Sequence, residues 1–498
     1  RIGRSMTDPD MPPETPLPSH PKIDLADMPV LLFGSLSHLR FGTILLVRLD
    51  PGSADTWLRE IKDRIAFGSS QRDAEGAVVL GLSCGGLQKL GLREDEIATF
   101  PVAFQQGNDA AWRARAIGDS GSNAPEHWSW GASSKTVDAA LLVYARSQPE
   151  LDESAAERAH EIERFGHEIV HQVRFREVPE KDAVRSAEPF GYVDGISQPI
   201  IRGLRDHIPA DQRHQAVQPG EFILGYRDNQ GYVPPTPTVL ARHDPHNTLP
   251  AAPSTAGWPP GNGSATPHEA RHDLGRNGTF LVVRQLEQDV DAFTGFLQQQ
   301  ATALAGDPRV PPPGQVPVAD WLGAKIVGRW KDGSSLVAHR ERPGGEQPDN
   351  DFTYGSNDVG GLSCPLGAHI RRANPRDSFD PGNKTQLKIT NRHRILRVGR
   401  PYAAQNGRKN PGLMFMCMNV DLDRQFEFVQ QTWLMSRSFH GLENENDTML
   451  NDRGAKNLFT IPTANGPLRV RNMSDFITVL GGAYFFLPGR HALQYLAR

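Results

Sequence analysis

The sequence has few cysteines, no excess of basic residues and no long apolar run, and each absence excludes a class of protein. The three cysteines among 498 residues, Cys84, Cys364 and Cys417, are too few and too widely spaced for a disulfide framework or a zinc cluster. Basic residues number 54 and acidic residues 58, and the resulting net charge of −4 argues against a nucleic-acid-binding protein. No apolar run approaches the ~18 residues of a membrane-spanning helix, so we expect no membrane insertion.

The length favours two domains, because 498 residues exceed what one hydrophobic core usually serves. Residues 1–25 are polar and proline-rich, which predicts a disordered arm. Residues 205–275 are rich in turn-forming residues and predict a long connection, which places a domain boundary near residue 220. The expected domains are residues 26–220 and 221–498. Scarce cysteine favours a cytoplasmic location, although a first residue other than methionine leaves room for a removed leader.

Strand-like and helix-like segments follow one order in both halves of the chain. The expected strands are 42–49, 77–83, 137–145 and 173–178, then 279–286, a piece near 395, 413–420 and 476–487. The expected helices begin after residues 53 and 289 or cover about 151–171 and 422–435. The order strand, helix, strand, strand, helix, strand is that of the ferredoxin-like unit. We therefore expect an α+β fold of two four-stranded antiparallel sheets, each covered by helices.

Three runs carry residues that could bind and activate a ligand. CPLGAHIRRANPR places His369 beside small residues, which would let a flat ligand approach, and before arginines that can bind carboxylates. FGYVDGISQP places Asp194 between Gly191 and Gly195, as is typical of a tight turn. RILRVGR places Arg397 in an expected strand, where a buried guanidinium needs a partner. Residue type alone leaves structural alternatives open: a core histidine, a plain Asp-Gly turn and a structural ion pair.

The run HEIVH matches the signature of zinc proteases. On a helix, His167 and His171 could bind Zn²⁺ while Glu168 acts as general base. A third histidine at metzincin spacing would occupy position 177, which is Glu177. The polar surroundings favour a chance match on a solvated helix face.

Taken together, these runs resemble the dye-decolorising peroxidases, a family of haem peroxidases. FGYVDGISQP resembles the family's GxxDG motif, CPLGAHIRRANPR its haem-ligand motif, and RILRVGRPY the strand of its distal arginine. Further similar blocks, in the family's order, are LSCGGLQKLGL, GRNGTFLVVRQLEQDV, QFEFVQQTW and GGAYFFLPG. The resemblance covers most of the chain and implies two ferredoxin-like units, with haem in the C-terminal one. Departures at Cys84, Ala403 and Ala404 leave substrate preference open.

The resemblance implies a haem b peroxidase that reduces H₂O₂ through a ferryl intermediate and oxidises dyes, phenolics or other one-electron donors. His369 would be the proximal iron ligand, Asp194 the distal acid-base group, and Arg397 the cation that stabilises charge as the O–O bond breaks. The alternative is a haem-carrying protein without significant turnover, which would need neither Asp194 nor Arg397. The expected partners are H₂O₂ and an organic reductant, without nucleic acid or membrane, and association into a homo-oligomer is left open.

The same resemblance assigns further residues to the haem site. Leu413 and Phe415 resemble the apolar distal wall that admits peroxide and excludes bulky dyes. Arg376 is expected to hold a haem propionate, and Gly191 and Gly195 to bring their turn close to the cofactor.

Three more residues receive expected supporting roles. Glu427 is the candidate acceptor that holds the far nitrogen of the proximal histidine. Trp433 and Tyr402 are candidate relays that carry electrons from large reductants at the surface, with an ordinary place in the core as the favoured alternative.

Overall fold

The computed structural model describes residues 23–68, 74–132, 135–178, 187–205, 207–253, 270–312, 314–345, 349–450 and 458–498. The predicted N-terminal arm lies outside these ranges except for its last three residues. Within the described ranges, no helix is both long enough and apolar enough to cross a membrane.

Nine strands form one antiparallel sheet at the centre of the molecule. These are β1 (Phe41–Arg48), β2 (Gly76–Leu82), β3 (Ala139–Ala145), β4 (Glu168–Arg174), β5 (Thr279–Gln288), β6 (Leu396–Arg397), β7 (Arg400–Tyr402), β8 (Gly412–Asn419) and β9 (Ile477–Leu487). Their order is β6-β8-β5-β9-β2-β3-β1-β4, and β7 pairs with β8 beside β6. Most of these strands are near-continuous apolar runs, because both faces of the sheet are covered.

Each half of the sheet has ferredoxin-like topology, which confirms the predicted fold. In the first half, helix Ala54–Ile61 connects β1 to β2 and helix Gln148–Arg164 connects β3 to β4, giving the order β2-β3-β1-β4. In the second half, helix Val290–Ala303 follows β5, and the π-helical segments Asp423–Glu427 and Val429–Leu434 follow β8, giving the order β6-β8-β5-β9.

The two halves share one sheet and one core. Strand β9 pairs with β2 at Phe486 and Leu82, so the sheet continues across the junction. One hydrophobic cluster contains Trp57 and Phe104 from the first half together with Phe280 from the second. The boundary near residue 220 stays a prediction, since a shared core does not mark where one unit ends.

The other elements are short and lie in the connections. The remaining α-helices are Cys84–Lys89, Glu94–Ile97, Val102–Gln106, Ala111–Ala116, Val318–Val327, Tyr354–Asn357, His369–Ala373, Lys384–Asn391 and Arg490–Leu496. The 3-10 turns are Val30–Phe33, Lys62–Arg64, Gly121–Asn123, Pro125–His127, Ala210–Gln215, Pro219–Glu221, Ala241–His243 and Phe439–Gly441. Two-stranded pairs are Ile200–Ile201 with Ala216–Val217, Thr238–Leu240 with Arg271–Asp273, and Leu458–Ile461 with Leu468–Arg471.

The helix predicted over the HEIVH run is wrong beyond Arg164. The chain turns at Gly166, whose φ of 75° ends the helix, and Glu168 begins β4. In a strand, residues four apart lie roughly 13 Å from each other, so His167 and His171 cannot share one tetrahedral ion as they would on a helix. His167 instead accepts a hydrogen bond from the backbone of Asp50 at 3.0 Å. The described residues contain no cluster of three or more metal-ligating side chains.

Candidate active site

A cavity beside the second half of the sheet brings together five of the predicted site residues. It has a volume of about 1550 Å³, including solvent at its mouth. Its walls come from strands β5, β6 and β8, from the segment 188–197 that contains Asp194, and from the π-helical segments. The predicted residues on these walls are Asp194, His369, Arg397, Leu413 and Phe415.

Asp194 and Arg397 form an ion pair on the cavity wall. The guanidinium Nη1 donates to Asp194 Oδ1 at 2.7 Å. The Gln198 amide forms two hydrogen bonds with the backbone of Arg397, accepting from its N–H at 3.1 Å and donating to its carbonyl. This amide clamps the Asp194 segment to strand β6, so the carboxylate and the guanidinium are held in fixed relation.

The glycines around Asp194 shape its turn as predicted. Gly191 has φ of 93° and Gly195 has φ of 80°, values that favour glycine over every other residue. The N–H of Gly195 donates to Asp194 Oδ1 at 2.6 Å. Gly195 lines a second cavity, described below, whereas Gly191 lines neither cavity. The predicted direct role of both glycines in cofactor binding stays a prediction.

His369 starts the helix His369–Ala373, and a buried carboxylate holds its ring. Nδ1 lies 2.9 and 3.0 Å from the two oxygens of Asp447, which is fully buried. Asp447 Oδ1 also accepts from the backbone N–H groups of Met449 and Leu450, at 2.9 and 2.8 Å. Burial opposes a charge on the imidazole, but attraction to Asp447 outweighs burial and raises the pKa of His369. Because Asp447 fixes Nδ1, Nε2 is the ring nitrogen left to bind a metal.

The predicted acceptor for His369, Glu427, is therefore wrong. Its carboxylate accepts from Tyr484 at 2.8 Å and is paired with Arg113. Glu427 lies in a π-helical segment, where the wider turn changes the direction of side chains relative to the 3.6-residue period assumed from the sequence. Asp447 gave no signal in the sequence, since it lies in a loop 78 residues from its partner.

Arginines provide a surplus of positive charge at the cavity. Arg394 lines the wall, is 6% exposed, and donates to Gln215 at 2.7 Å and to the Ser197 carbonyl at 3.4 Å. No carboxylate among the described residues forms an ion pair with it. Burial, with repulsion from Arg376 and Arg397, lowers the pKa of Arg394 to about 9. A buried cation without a counter-charge is costly, so this wall is suited to an anion.

The prediction that Arg376 holds a haem propionate is not supported by its position. It is 3% exposed, is absent from the cavity wall, and bonds with the carbonyl of Phe352 and the side chain of Asn350, the latter at 2.6 Å. Its φ of 53° turns the chain away after the short helix. Arg394 and Arg329 line the cavity instead.

A second cavity of about 1200 Å³, again including open solvent, borders the Asp194–Arg397 pair. Asp194, Arg397, Leu413 and Glu188 line both cavities. These side chains therefore separate the two spaces, and a small solute in the second cavity can reach the carboxylate and the guanidinium.

Glu188 is a further carboxylate at the cavity, and no sequence motif indicated it. Its oxygens accept from the backbone N–H groups of Phe190 and Tyr192, each at 2.9 Å, and from Gln288 at 2.6 Å. Burial raises the pKa of Glu188 despite these bonds. With its oxygens occupied, Glu188 organises the turn, whereas Asp194 presents its carboxylate to the cavities.

No protein-family model matches the chain, but individual relatives do. Peroxidase 2 of Mycetinis scorodonius is 26% identical over 456 residues, which cover 84% of this chain and 76% of the relative. The multifunctional dye peroxidase of Amycolatopsis sp. is 30% identical over 332 residues, which cover 62% of this chain and 61% of the relative.

Solved structures share the fold. A DyP-type peroxidase from Anabaena sp. superposes with a TM-score of 0.70 at 20% identity, covering 95% of this chain and 94% of the other. An ancestral D-type dye-decolorizing peroxidase gives a TM-score of 0.73 at 22% identity, covering 95% and 99%. The chain is therefore similar in sequence to named dye peroxidases and shares the fold of solved dye-decolorizing peroxidases. This similarity implies a haem cofactor.

The cavity fits a haem on three observations. His369 presents a ring nitrogen whose partner nitrogen is held by a buried carboxylate, as iron ligation by histidine requires. Apolar side chains, including Leu413 and Phe415, supply walls for a flat apolar ring. The guanidinium of Arg394 lacks a carboxylate partner among the described residues and suits a propionate.

Replacing Asp447 by Asn is expected to weaken haem binding ~10–100-fold, the usual effect of losing such a partner of a metal-binding histidine. The amide still accepts from Nδ1 but removes the negative charge that raises the pKa of His369. Titration of the haem-free protein with haemin, followed at the Soret band, measures the change. Glu427→Gln is the matched control, and an equal loss in both variants would contradict the assignment of Asp447.

Proposed function

We propose that this protein is a haem b peroxidase that uses H₂O₂ to oxidise dyes, phenolics or other one-electron donors. The observation that carries the proposal is one cavity lined both by His369, held by Asp447, and by the Asp194–Arg397 ion pair. The curated relatives are named as dye peroxidases, which supports the same activity here.

When bound, haem b would supply an iron that binds peroxide and stores oxidising equivalents. His369 would hold the iron, and Arg394 and Arg329 would hold the propionates. Asp194 would accept a proton from the H₂O₂ oxygen nearer to the iron and deliver it to the other oxygen, which leaves as water. Arg397 would donate hydrogen bonds to the oxygen that gains negative charge as the O–O bond breaks.

The second cavity supports a route for peroxide. It reaches Asp194 and Arg397 from the side of Ser35 and Arg205. Leu413 stands between the two cavities, so a bulky dye would be kept from the reacting atoms while H₂O₂ passes. Large donors would then give up their electrons elsewhere on the protein.

A haem carrier without turnover is the competing function. Carriage needs the proximal histidine and the propionate-binding arginines but no acid-base pair, so the ordered Asp194–Arg397 pair favours the peroxidase. The deciding experiment is an absorption spectrum of the haem-loaded protein before and after one equivalent of H₂O₂, followed by addition of a dye. A rapid Soret shift reversed by the dye supports the peroxidase, and slow bleaching alone supports carriage.

Replacing Arg394 by Met is expected to weaken binding of haem b ~10–100-fold, because a hydrogen bond to a charged group contributes about 1.5–3 kcal/mol. Haem dimethyl ester, which lacks propionate charges, is the matched control, and the variant and the natural protein should bind it equally. A loss that is the same for both cofactors would show that Arg394 supports the cavity wall and does not bind a propionate.

A further inference from the structure

Beside the cavity, a buried tyrosine is hydrogen-bonded to a buried carboxylate. Tyr484 lies on β9, is 2% exposed, and donates its hydroxyl proton to Glu427 Oε1 at 2.8 Å. The other carboxylate oxygen accepts from Arg113, which also bonds with Asp423 at 2.8 Å. The proposed peroxide chemistry uses none of these residues, yet they place a phenol and a proton acceptor in direct contact.

Aromatic rings connect this phenol to the cavity. Phe415 and Phe426 both line the cavity, and their ring centroids lie 6.2 Å apart. The Phe426 ring is in edge contact with Tyr484, with centroids 6.1 Å apart. Arg284, another wall residue, lies over Phe426 at 5.8 Å and is held by Asp119. Tyr484 is therefore in ring contact with Phe426, a residue of the cavity wall, and this contact gives an electron a packed path between them.

The same network reaches the protein surface. The Arg113 guanidinium, itself buried, stacks on the ring of Trp112 with 4.3 Å between Cζ and the ring centroid. Trp112 is 53% exposed. A large aromatic ring left half in solvent gains little from burial, whereas it offers a face on which a flat donor can stack.

We propose that Tyr484 is a redox-active relay that gives its electron towards the cavity and its proton to Glu427, and that organic donors at Trp112 restore it. This inference rests on the proposed peroxidase function, which supplies the oxidising equivalents from H₂O₂. The four residues Trp112, Arg113, Glu427 and Tyr484 are called the Tyr484 relay below.

Each step of the Tyr484 relay conserves electrons and protons. Tyr484 loses one electron and one proton and becomes a neutral phenoxyl radical, while the carboxylate of Glu427 becomes a carboxylic acid. A donor at Trp112 then supplies one electron, and Glu427 returns the proton to Tyr484. Two passages provide the two electrons that reduce one H₂O₂ to two water molecules, and protons released by the oxidised donors complete the water.

The protonation chemistry of the pair suits this role. Burial, with the negative charge of Glu427 nearby, raises the pKa of Tyr484 well above its ordinary value, so the phenol stays protonated until it is oxidised. Burial also raises the pKa of Glu427 to about 7, against the attraction of Arg113. A base with a pKa near neutrality can both accept and return a proton.

The relays expected from the sequence, Tyr402 and Trp433, lack among the described residues a carboxylate that could accept a proton as Glu427 does for Tyr484. Tyr402 donates its hydroxyl proton to the backbone carbonyl of Leu286 at 3.0 Å, and a carbonyl cannot take up the proton that oxidation releases. Trp433 is buried among the rings of Phe428 and His393 and does not line the cavity. Tyr402 therefore serves as a matched control for Tyr484.

Electron paramagnetic resonance of the haem-loaded protein, frozen after mixing with H₂O₂, tests the inner half of the relay. We expect a tyrosyl radical whose spectrum narrows when the protein contains ring-deuterated tyrosine. The yield should fall ~10²-fold in Tyr484→Phe and in Glu427→Gln, the lower end of the contribution of a positioned proton acceptor. Tyr402→Phe should leave it unchanged. An undiminished radical in Tyr484→Phe would overturn the proposal.

Dependence on pH separates a proton acceptor from a structural residue. The charged and titratable groups that face Glu427 are Tyr484, Arg113 and Asp423, with Arg284 and Asp119 behind Tyr484. Glu427 must be ionised to accept a proton, so the radical yield should rise as pH increases through about 7. A yield independent of pH between 5 and 9, on the order of two units either side of that pKa, would contradict proton transfer to Glu427.

A spin trap and mass spectrometry test the outer half. After H₂O₂ is added without a donor, the trap adduct should form on Trp112, and Tyr484→Phe should abolish it. Trp112→Phe should slow oxidation of a bulky dye ~10-fold, a difference of about 1.4 kcal/mol in the barrier. Tyr232→Phe is the control, because Tyr232 is 70% exposed and lies outside the relay. An adduct on Tyr232 and none on Trp112 would move the donor site away from Trp112.

Failure of the relay and failure of the proposed function give different results. If the natural protein shows no Soret change with H₂O₂, the peroxidase proposal fails. If Tyr484→Phe reacts with H₂O₂ at the natural rate and oxidises bulky dye at the natural rate, the peroxidase stands and the relay fails.

Discussion

Replacing Asp194 by Asn slows the reaction of the haem-loaded protein with H₂O₂ by ~10²–10⁴-fold, the range that a positioned proton-transfer group contributes. The amide oxygen can still accept the hydrogen bond that Arg397 now gives to Oδ1 at 2.7 Å, so the geometry of the pair should survive. The amide cannot take a proton from peroxide, and the step that carries the proton between the two oxygens is lost. Stopped-flow absorbance at the Soret band measures the rate.

Glu188 provides the matched control for Asp194. It lines the same two cavities, but its oxygens accept from two backbone N–H groups and from Gln288. Glu188→Gln should therefore change the rate little, while haem affinity stays the same in both variants. A large loss in Glu188→Gln with a normal rate in Asp194→Asn would exchange the two roles.

The fold was predictable because local signals agreed with one another. Strands β3, β5 and β9 are apolar runs of suitable length, and the same order of elements occurs in both halves. The helix predicted over the HEIVH run is wrong for a physical reason. The β-branched residues Ile169 and Val170 suit a strand, and Gly166 ends the helix before them. The hydrophobic period and the length of this run alone do not distinguish a helix from a strand.

The candidate site was predictable in part. Asp194, His369 and Arg397 lie in three compact runs, and the structure brings all three to one cavity. Asp447 bonds with His369 and Arg394 bonds with Gln215, and both partners lie far away in the sequence. No hydrophobic periodicity indicates that these side chains meet. Arg376 shows the converse: a basic residue in the right run turned away from the cavity, because the chain changes direction after the short helix.

Replacing His369 by Ala is expected to abolish iron ligation and the Soret band of the ligated haem. The change also leaves a buried carboxylate without its imidazole partner, because Asp447 is fully buried and is paired with His369. Removing one member of a buried ion pair costs about 3–5 kcal/mol. Because the imidazole is 29% exposed and Asp447 keeps its bonds from the backbone N–H groups of Met449 and Leu450, we expect a loss near or below the lower end of that range. Urea unfolding of the haem-free protein measures this loss, and absorption spectra with added imidazole test whether a free ligand restores the Soret band.

The sign of the pH dependence distinguishes this mechanism from simple loss of packing. Burial alone would raise the pKa of Asp447, but attraction to His369 and Arg372 holds it below its ordinary value. In the natural protein this attraction stabilises the fold above the unfolded pKa of the carboxyl, and the contribution is lost as pH falls. Without the imidazole, burial raises the pKa of Asp447, so the destabilisation of His369→Ala should shrink in acid, where the carboxyl is neutral. The double variant His369→Ala, Asp447→Ala should recover part of the stability at neutral pH, whereas a loss equal at all pH values, with no recovery in the double variant, would mean that the cavity left by the ring dominates.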